Sequence, residues 1–186
     1  GKGKQADEAV FRSIVAENKD LLDTALPIMQ SVYEIVERSH FLLVLTDSVG
    51  YVLEAIGDTA VQQMSEDLRF QKGALWSDLE VGSNAVGIAL DYDTAIQMVG
   101  PEHYCTSHHN WTCSAAPIHG VNGEVIGCLD LSGAAQEVHP HTLAVVVSAA
   151  FSIETMLIRL HSAQLMRGAL EGMDGSVVLL NDQFRP

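Results

Sequence analysis

The chain has 186 residues, 47% of them hydrophobic and 18% charged, with a formal net charge of −14. That length and composition fit one globular domain with extensions and exclude a disordered or fibrous chain. Between Lys72 and Arg159 there is no lysine or arginine, while the same stretch carries nine acidic residues, which excludes a nucleic-acid surface and disfavours a phosphorylated ligand there.

The opening GKGKQADEAV lacks the apolar segment of a signal peptide. The longest apolar stretch, Thr142 to Ile158, is interrupted by Ser148, Ser152, Glu154 and Thr155, short of an uninterrupted membrane-spanning run. A cytoplasmic protein without membrane contact is expected. The cysteines number three, an odd count that points to reduced thiols rather than a disulfide framework.

Residues Asp7 to Ser39 read as helical. Val10, Ile14 and Leu21 mark one apolar face, and Ile28, Val32, Ile35 and Val36 the next. Pro27 is expected to split or kink the run. Phe41–Thr46 and Tyr51–Ile56 read as strands joined by Asp47-Ser48-Val49-Gly50. Asp58 is placed to cap a helix over Thr59–Asp67. A looser segment leads to Trp76. Ser83–Leu90 reads as a short helix capped by Ser83, and Thr94–Val99 as a third strand. Thr112–His119 and Glu124–Leu131 follow as two more, with Asn122-Gly123 between them as a hairpin signal. Pro140 opens a long helix to about Leu170. On that helix Leu143, Val146, Ala150, Ile153, Leu157 and Leu160 keep the three-four spacing of a coiled-coil seam. Val145, Val147, Ala149 and Met156 are apolar as well, so the helix needs cover on more than one side. The N-terminal helices of the same chain or a second copy would supply it, the second copy being favoured from Ile153 onward. The tail from Met173 to Pro186, with GSVVLLND, reads as the cut-short start of another domain.

The stretch GPEHYCTSHHNWTCSAAPIHGVNGEVIGCLDLSG (Gly100–Gly133) concentrates reactive and aromatic side chains: all three cysteines and His103, His108, His109 and His119. With LTDSVGYVLEAIGD (Leu45–Asp58), WSDLEVGSNAVGIAL (Trp76–Leu90), WTCSAAPI (Trp111–Ile118) and PHTLAVV (Pro140–Val146), it resembles the N-terminal sensory region of sigma-54-dependent transcription activators of the acetoin-catabolism and dihydroxyacetone-kinase regulator type. The resemblance runs from about Leu21 to Leu160. It implies an α+β GAF domain: an antiparallel sheet of about five or six strands, the terminal helices on one face, short helices and loops on the other. The division it implies is N-terminal helices over 1–39, a core over 40–139, a C-terminal signalling helix over 140–172, and a truncated PAS start over 173–186. Such regulators continue into an ATPase and a helix-turn-helix. Neither a G-x-x-x-x-G-K-[ST] loop nor a basic recognition helix occurs in this sequence, so a sensor without its output modules is expected.

An apolar pocket between sheet and loops is the leading reading. Its candidate ligand-binding residues are Trp76, Asn84, His103, Trp111, Cys113 and Asp130. Each has a plainer role open to it: core aromatics for the tryptophans, a helix end for Asn84, a structural hydrogen bond for His103, and a tie to the neighbouring loop for Asp130. The expected effector is neutral and small, or else a regulatory protein, with a homodimer through the terminal helices, no catalytic activity and no cofactor. Two alternatives stay open. Cys105, His108, His109 and Cys113 form C-x-x-H-H-x-x-x-C, a spacing that zinc or iron could use in a metal or redox sensor. Cys113 with His103 or His108 could serve a GAF-type free methionine sulfoxide reductase.

Overall fold

The computed structural model describes residues 1–36 and 40–171. The expected PAS start at 173–186, and residues 37–39 of the first helical region, lie outside them. In chain order the elements are β1 (Lys4–Gln5), α1 (Glu8–Glu17), α2 (Lys19–Val36), β2 (Leu42–Asp47), β3 (Val52–Gly57), α3 (Thr59–Glu66), β4 (Ala74–Leu75), α4 (Asp78–Val81), α5 (Ala85–Tyr92), β5 (Ile96–Val99), β6 (Trp111–His119), β7 (Val125–Ala134) and α6 (Pro140–Glu171). Five strands form one antiparallel sheet in the order β3-β2-β7-β6-β5, and β1 pairs with β4 in a separate ribbon. This is the α+β GAF arrangement, with the terminal helices on one face and the short elements on the other.

Strand alternation divides the side chains between two cores. Leu42, Val44, Ala115 and Cys128 face a cluster with Val61, Phe70, Trp76, Val86 and Trp111. Their neighbours Leu43, Leu45, Ala116, Leu129 and Leu131 face α2 and α6, meeting Leu21, Ala25, Met29, Val146, Ala150 and Ile153. All six residues of β2 are buried, which marks it as a strand covered on both faces.

The first helical region breaks at Asn18, not at Pro27. The Asn18 side chain and its own N–H both donate to the Ile14 carbonyl, at 2.9 and 3.1 Å, ending α1 by the side-chain competition typical of asparagine. Pro27 sits inside α2. An interior proline costs about 3 kcal/mol, and burial of Leu21 and Met29 against the sheet offsets it at about 1.5–3 kcal/mol apiece. The apolar face is accordingly Leu21, Ala25 and Met29, whereas Val10 and Ile35 are exposed.

The Asp47 carboxylate organises the first hairpin by accepting from the N–H groups of Val49, Gly50 and Tyr51 at 2.8–2.9 Å. Asp58 precedes α3 but makes no side-chain cap; its carboxylate accepts from the Tyr33 hydroxyl at 2.6 Å and so ties α3 to α2. The second hairpin runs through Gly120–Glu124, with Gly123 at φ +84° and a register shift at Ile118/His119.

Of the two covers open for the first half of the α6 seam, the structure shows the one within the chain, and it extends to Ile153, where a second copy was expected. Val146, Ala150 and Ile153 are buried in the core of the same chain, with α2 alongside. By length and composition α6 could cross a membrane, a property it shares with core helices of globular domains. Val147, Phe151, Ile158 and Leu165 remain exposed, Phe151 at 67%. Every residue from Ile158 to Ala169 is exposed.

One polar clamp fastens α6 to the sheet. The two ring nitrogens of His119 on β6 meet Glu154 of α6 at 2.6 Å and Asp93, after α5, at 2.7 Å. The Glu154 hydrogen bond chiefly raises the imidazole above its ordinary 6.5, burial opposes, and Asp93 adds to the rise. A raised folded value gives stabilisation that is complete below the unfolded value and lost as pH climbs through the folded one. In denaturant melts, His119→Gln should therefore lower stability clearly at about pH 6, and the gap to the parent should shrink toward about pH 9.

Candidate functional site

The cavity lies between the sheet and its cover of short elements. Trp111, Cys113 and Asp130 form its floor on β6 and β7. Leu68, Phe70 and Trp76 close it from the α3–β4 side, Asn84, Ala85 and Val86 from the start of α5, and His103 and His108 from the segment after β5. The six residues singled out in the sequence all line it. The space for the centre of a water-sized sphere is about 10 Å³, close to what one water needs, so a larger guest must push the cover outward.

Trp76 is fixed by its indole N–H, which donates to the Arg69 carbonyl at 3.1 Å. Its ring lies 4.1 Å from that of Phe70 and 5.2 Å, stacked, from that of His108. Asn84, not Ser83, caps α5: its Oδ1 accepts from the Gly87 N–H at 3.1 Å, and its Nδ2 donates to the Gly82 carbonyl at 3.0 Å. Asn has the better cap geometry because it reaches the third helical N–H. Both polar ends of Asn84 thus serve the backbone.

The histidines differ from this. His103 is 2% exposed, and its Nδ1–H donates to the Gly100 carbonyl at 3.0 Å. His108 is equally buried, and its Nε2–H donates to the Gly1 carbonyl at 2.9 Å. Each carbonyl fixes a tautomer and leaves a lone pair on the other nitrogen. Among the described residues, His103 Nε2 and His108 Nδ1 have no hydrogen-bond partner. Burial lowers both imidazoles below their ordinary value, so both rings are neutral at pH 7.

Asp130 is fully buried. Burial raises its carboxyl to about 7, against the opposing hydrogen bond from Ser132. The Ser132 hydroxyl donates to Oδ2, and Oδ1 has no partner among the described residues. Ser132 Oγ also lies 3.0 Å from Cys113 Sγ. A hydroxyl has one hydrogen; with that given to Asp130, the thiol is the donor in the second contact.

Burial pushes the thiols of Cys113 and Cys128 well above their ordinary value, which disfavours the thiolate that a nucleophile requires. All three cysteines are free. Cys105 meets the Val81 carbonyl, and His109 Nε2 the His103 carbonyl. Among the described residues no three of His, Cys, Asp and Glu are placed to share a metal ion. The C-x-x-H-H-x-x-x-C spacing therefore disperses in space: only His108 and Cys113 of that set reach the cavity.

Sequence reading missed His108 as a cavity residue, and Leu68, Phe70, Ala85 and Val86. Leu68 and Phe70 lie where no periodic pattern could be read. It also missed the β1–β4 ribbon, too short to leave a pattern. That ribbon brings the N-terminus against the cover. The Gly3 N–H donates to the Leu68 carbonyl at 3.1 Å, and a Cβ on Gly3 would come within 2.5 Å of the Trp76 indole nitrogen.

Residues 10–155 match the family described as MimR, N-terminal domain. The signal-transduction and transcriptional-control protein of Clostridium beijerinckii is 37% identical over 147 residues, covering 79% of this chain and 23% of that protein. The acetoin dehydrogenase operon transcriptional activator AcoR of Bacillus subtilis (strain 168) is 35% identical over 136 residues, covering 73% and 22%. The chain thus spans less than a quarter of the length of these relatives. Among solved structures, a chain of the E. coli DhaR(N)–DhaL complex superposes with a TM-score of 0.89 at 19% identity, covering 92% of this chain and 58% of that one.

A buried carboxyl raised from 3.8 to about 7 destabilises the fold as pH rises between those values, because the folded state holds its proton longer than the unfolded one. The effect reaches about 4 kcal/mol at most, at 1.36 kcal/mol per unit. Asp130→Asn should flatten this fall: chemical denaturation of the parent between about pH 5 and 8 should show a decline that the variant largely lacks.

Proposed function

The chain belongs to the MimR N-terminal domain family, and on that premise we propose that it is the effector-binding sensory domain of a sigma-54-dependent transcription activator working in the cytoplasm. The relatives described above are named as transcriptional activators or control proteins. The observation that carries the binding role is the buried cavity whose apolar walls hold polar atoms left without partners, at His103, His108 and Asp130. Fully buried polar groups are ordinarily satisfied, and a ligand would satisfy these. Trp76, Asn84, Trp111 and Cys113 complete the proposed site.

Signal passage is proposed to run through β6 to α6. Cys113 faces the cavity, while the next residue, Ser114, has its hydroxyl 3.0 Å from that of Thr142 in the first turn of α6. Gln97 of β5 bridges both hydroxyls from its Nε2, at 2.9 and 2.7 Å. An effector that spreads the cover shifts the population between two placements of α6 against the sheet. In this scheme residues 1–39 are the N-terminal helices, 40–139 the sensing core, 140–172 the signalling helix and 173–186 the start of a following PAS domain. The exposed line Val147, Phe151, Ile158 and Leu165 is the proposed homodimer contact. A regulatory protein is a second effector class, because the similar solved structure is a complex of DhaR(N) with DhaL.

A thermal-shift screen of alcohols, ketones, aldehydes and diols should yield a compound that raises Tm as its concentration rises, the added stability being about 2.7 kcal/mol at one hundred times its Kd. A panel without a hit rejects the small-molecule effector. In sedimentation equilibrium the parent should be a dimer, and Phe151→Asp with Ile158→Asp should be a folded monomer whose Tm no longer depends on protein concentration.

A further inference from the structure

Resting on the reading of the cavity as the effector site, we infer that the effector is a neutral compound recognised through a hydroxyl group, which docks between His103 Nε2 and the Asp130 carboxyl. The cavity is walled by Leu68, Phe70, Trp76 and Val86, so the polar recognition falls to the few groups whose bonding is incomplete. The tautomers are set from outside: the Gly100 carbonyl takes the His103 proton and the Gly1 carbonyl takes the His108 proton. What both rings turn to the site is therefore an acceptor, and an acceptor selects a guest with a donor hydrogen.

The remaining group narrows the choice. Asp130 Oδ1 is unpartnered, while Ser132 occupies Oδ2. With the carboxyl protonated, Oδ1–H is a donor. A hydroxyl is donor and acceptor in one atom, giving its hydrogen to His103 Nε2 and receiving that of Asp130. A ketone can accept from Asp130 but leaves the His103 Nε2 lone pair, which the hydroxyl would fill, buried without a partner. A carboxylate or phosphate would face the same lone pairs with no basic residue between Lys72 and Arg159 to balance its charge. An ammonium ion would leave water for a site whose imidazoles are neutral and whose carboxyl, raised by burial to about 7, would have to give up its proton to pair with it.

Isosteric pairs test this on the whole chain: propan-2-ol with acetone, cyclopentanol with cyclopentanone, and cyclohexanol with cyclohexanone, together with cyclopentylamine as its ammonium ion. Tm shifts and titration calorimetry at about pH 6.5 give the affinities. The alcohol should bind at least about tenfold more tightly than its ketone in the pair that fits, as a lost buried hydrogen bond implies. In His103→Phe, which keeps a ring and removes the acceptor, that ratio should fall toward one; in His103→Gln, whose amide oxygen can accept, part of it should return. Equal or tighter ketone binding, tighter ammonium binding, or an undiminished ratio in His103→Phe overturns the hydroxyl assignment and leaves the cavity as an effector site. Failure of every probe to bind rejects both. The parent comparison needs no variant to fold.

Discussion

Cover on both faces is the condition that shapes everything else in this domain. β2 is buried along its whole length, and β6 and β7 over most of theirs, so a polar side chain on either face there must find its partners inside. On the helix side that demand is met mostly by apolar packing, Leu43, Leu45, Leu129 and Leu131 against Met29, Val146 and Ile153, and at Ser114 by hydrogen bonds with Thr142 and Gln97. On the other side it is only partly met. Asp130, Ser132 and Cys113 form a short chain of hydrogen bonds, and the cover adds two neutral histidines with a free nitrogen each. Unpartnered buried groups of this kind cost stability; among the described residues Thr46, Asp78 and Thr112 carry one each elsewhere, while His103, His108 and Asp130 bring three to the walls of one cavity.

The same two-sided cover shortens the distance between sensing and output. Because strand residues alternate, the cavity and the α6 contact are one residue apart on β6, at Cys113 and Ser114. The polar ties to α6 lie at Thr142 in its first turn and at Glu154 farther along. Between them Val146, Ala150 and Ile153 are sealed into the core. The helix is thus held at two polar points with apolar packing between, and beyond Ile158 its residues are exposed.

Much of this could be read from the chain. The two hairpins and the long helix opened by Pro140 follow from local patterns of turn residues and apolar spacing, and the separation of helices and loops onto opposite faces follows from the family resemblance. The cavity floor was legible because Trp111, Cys113 and Asp130 lie in WTCSAAPI and GCLDLSG, stretches that carry the family resemblance. What escaped was whatever depends on competition at a distance. The break at Asn18 rather than Pro27 turns on sheet packing outweighing a proline. The coiled-coil spacing of Val146, Ala150 and Ile153 was real, yet an apolar stripe does not say which surface it meets, and α2 with the sheet proved to be that surface. His108 was noticed for a metal-like spacing. Its place in the cavity wall depends on a bond to Gly1, more than a hundred positions away, which no local pattern encodes.

The ribbon of β1 and β4 has a mechanical consequence. The chain begins against the cover, at Trp76, and by Leu21 it is packed on the opposite face of the sheet. What carries it across is α1. Its Phe11 lies against Gly73 on the cover side, and its Ile14 packs against the helix-side core. A helix of ten residues is about 15 Å long, somewhat more than the spacing between packed layers, and it does not stretch. It is a strut around the rim of the sheet. Any lifting of the cover therefore has two outlets, one inward along β6 and one outward along this strut, and both end at the same helical layer.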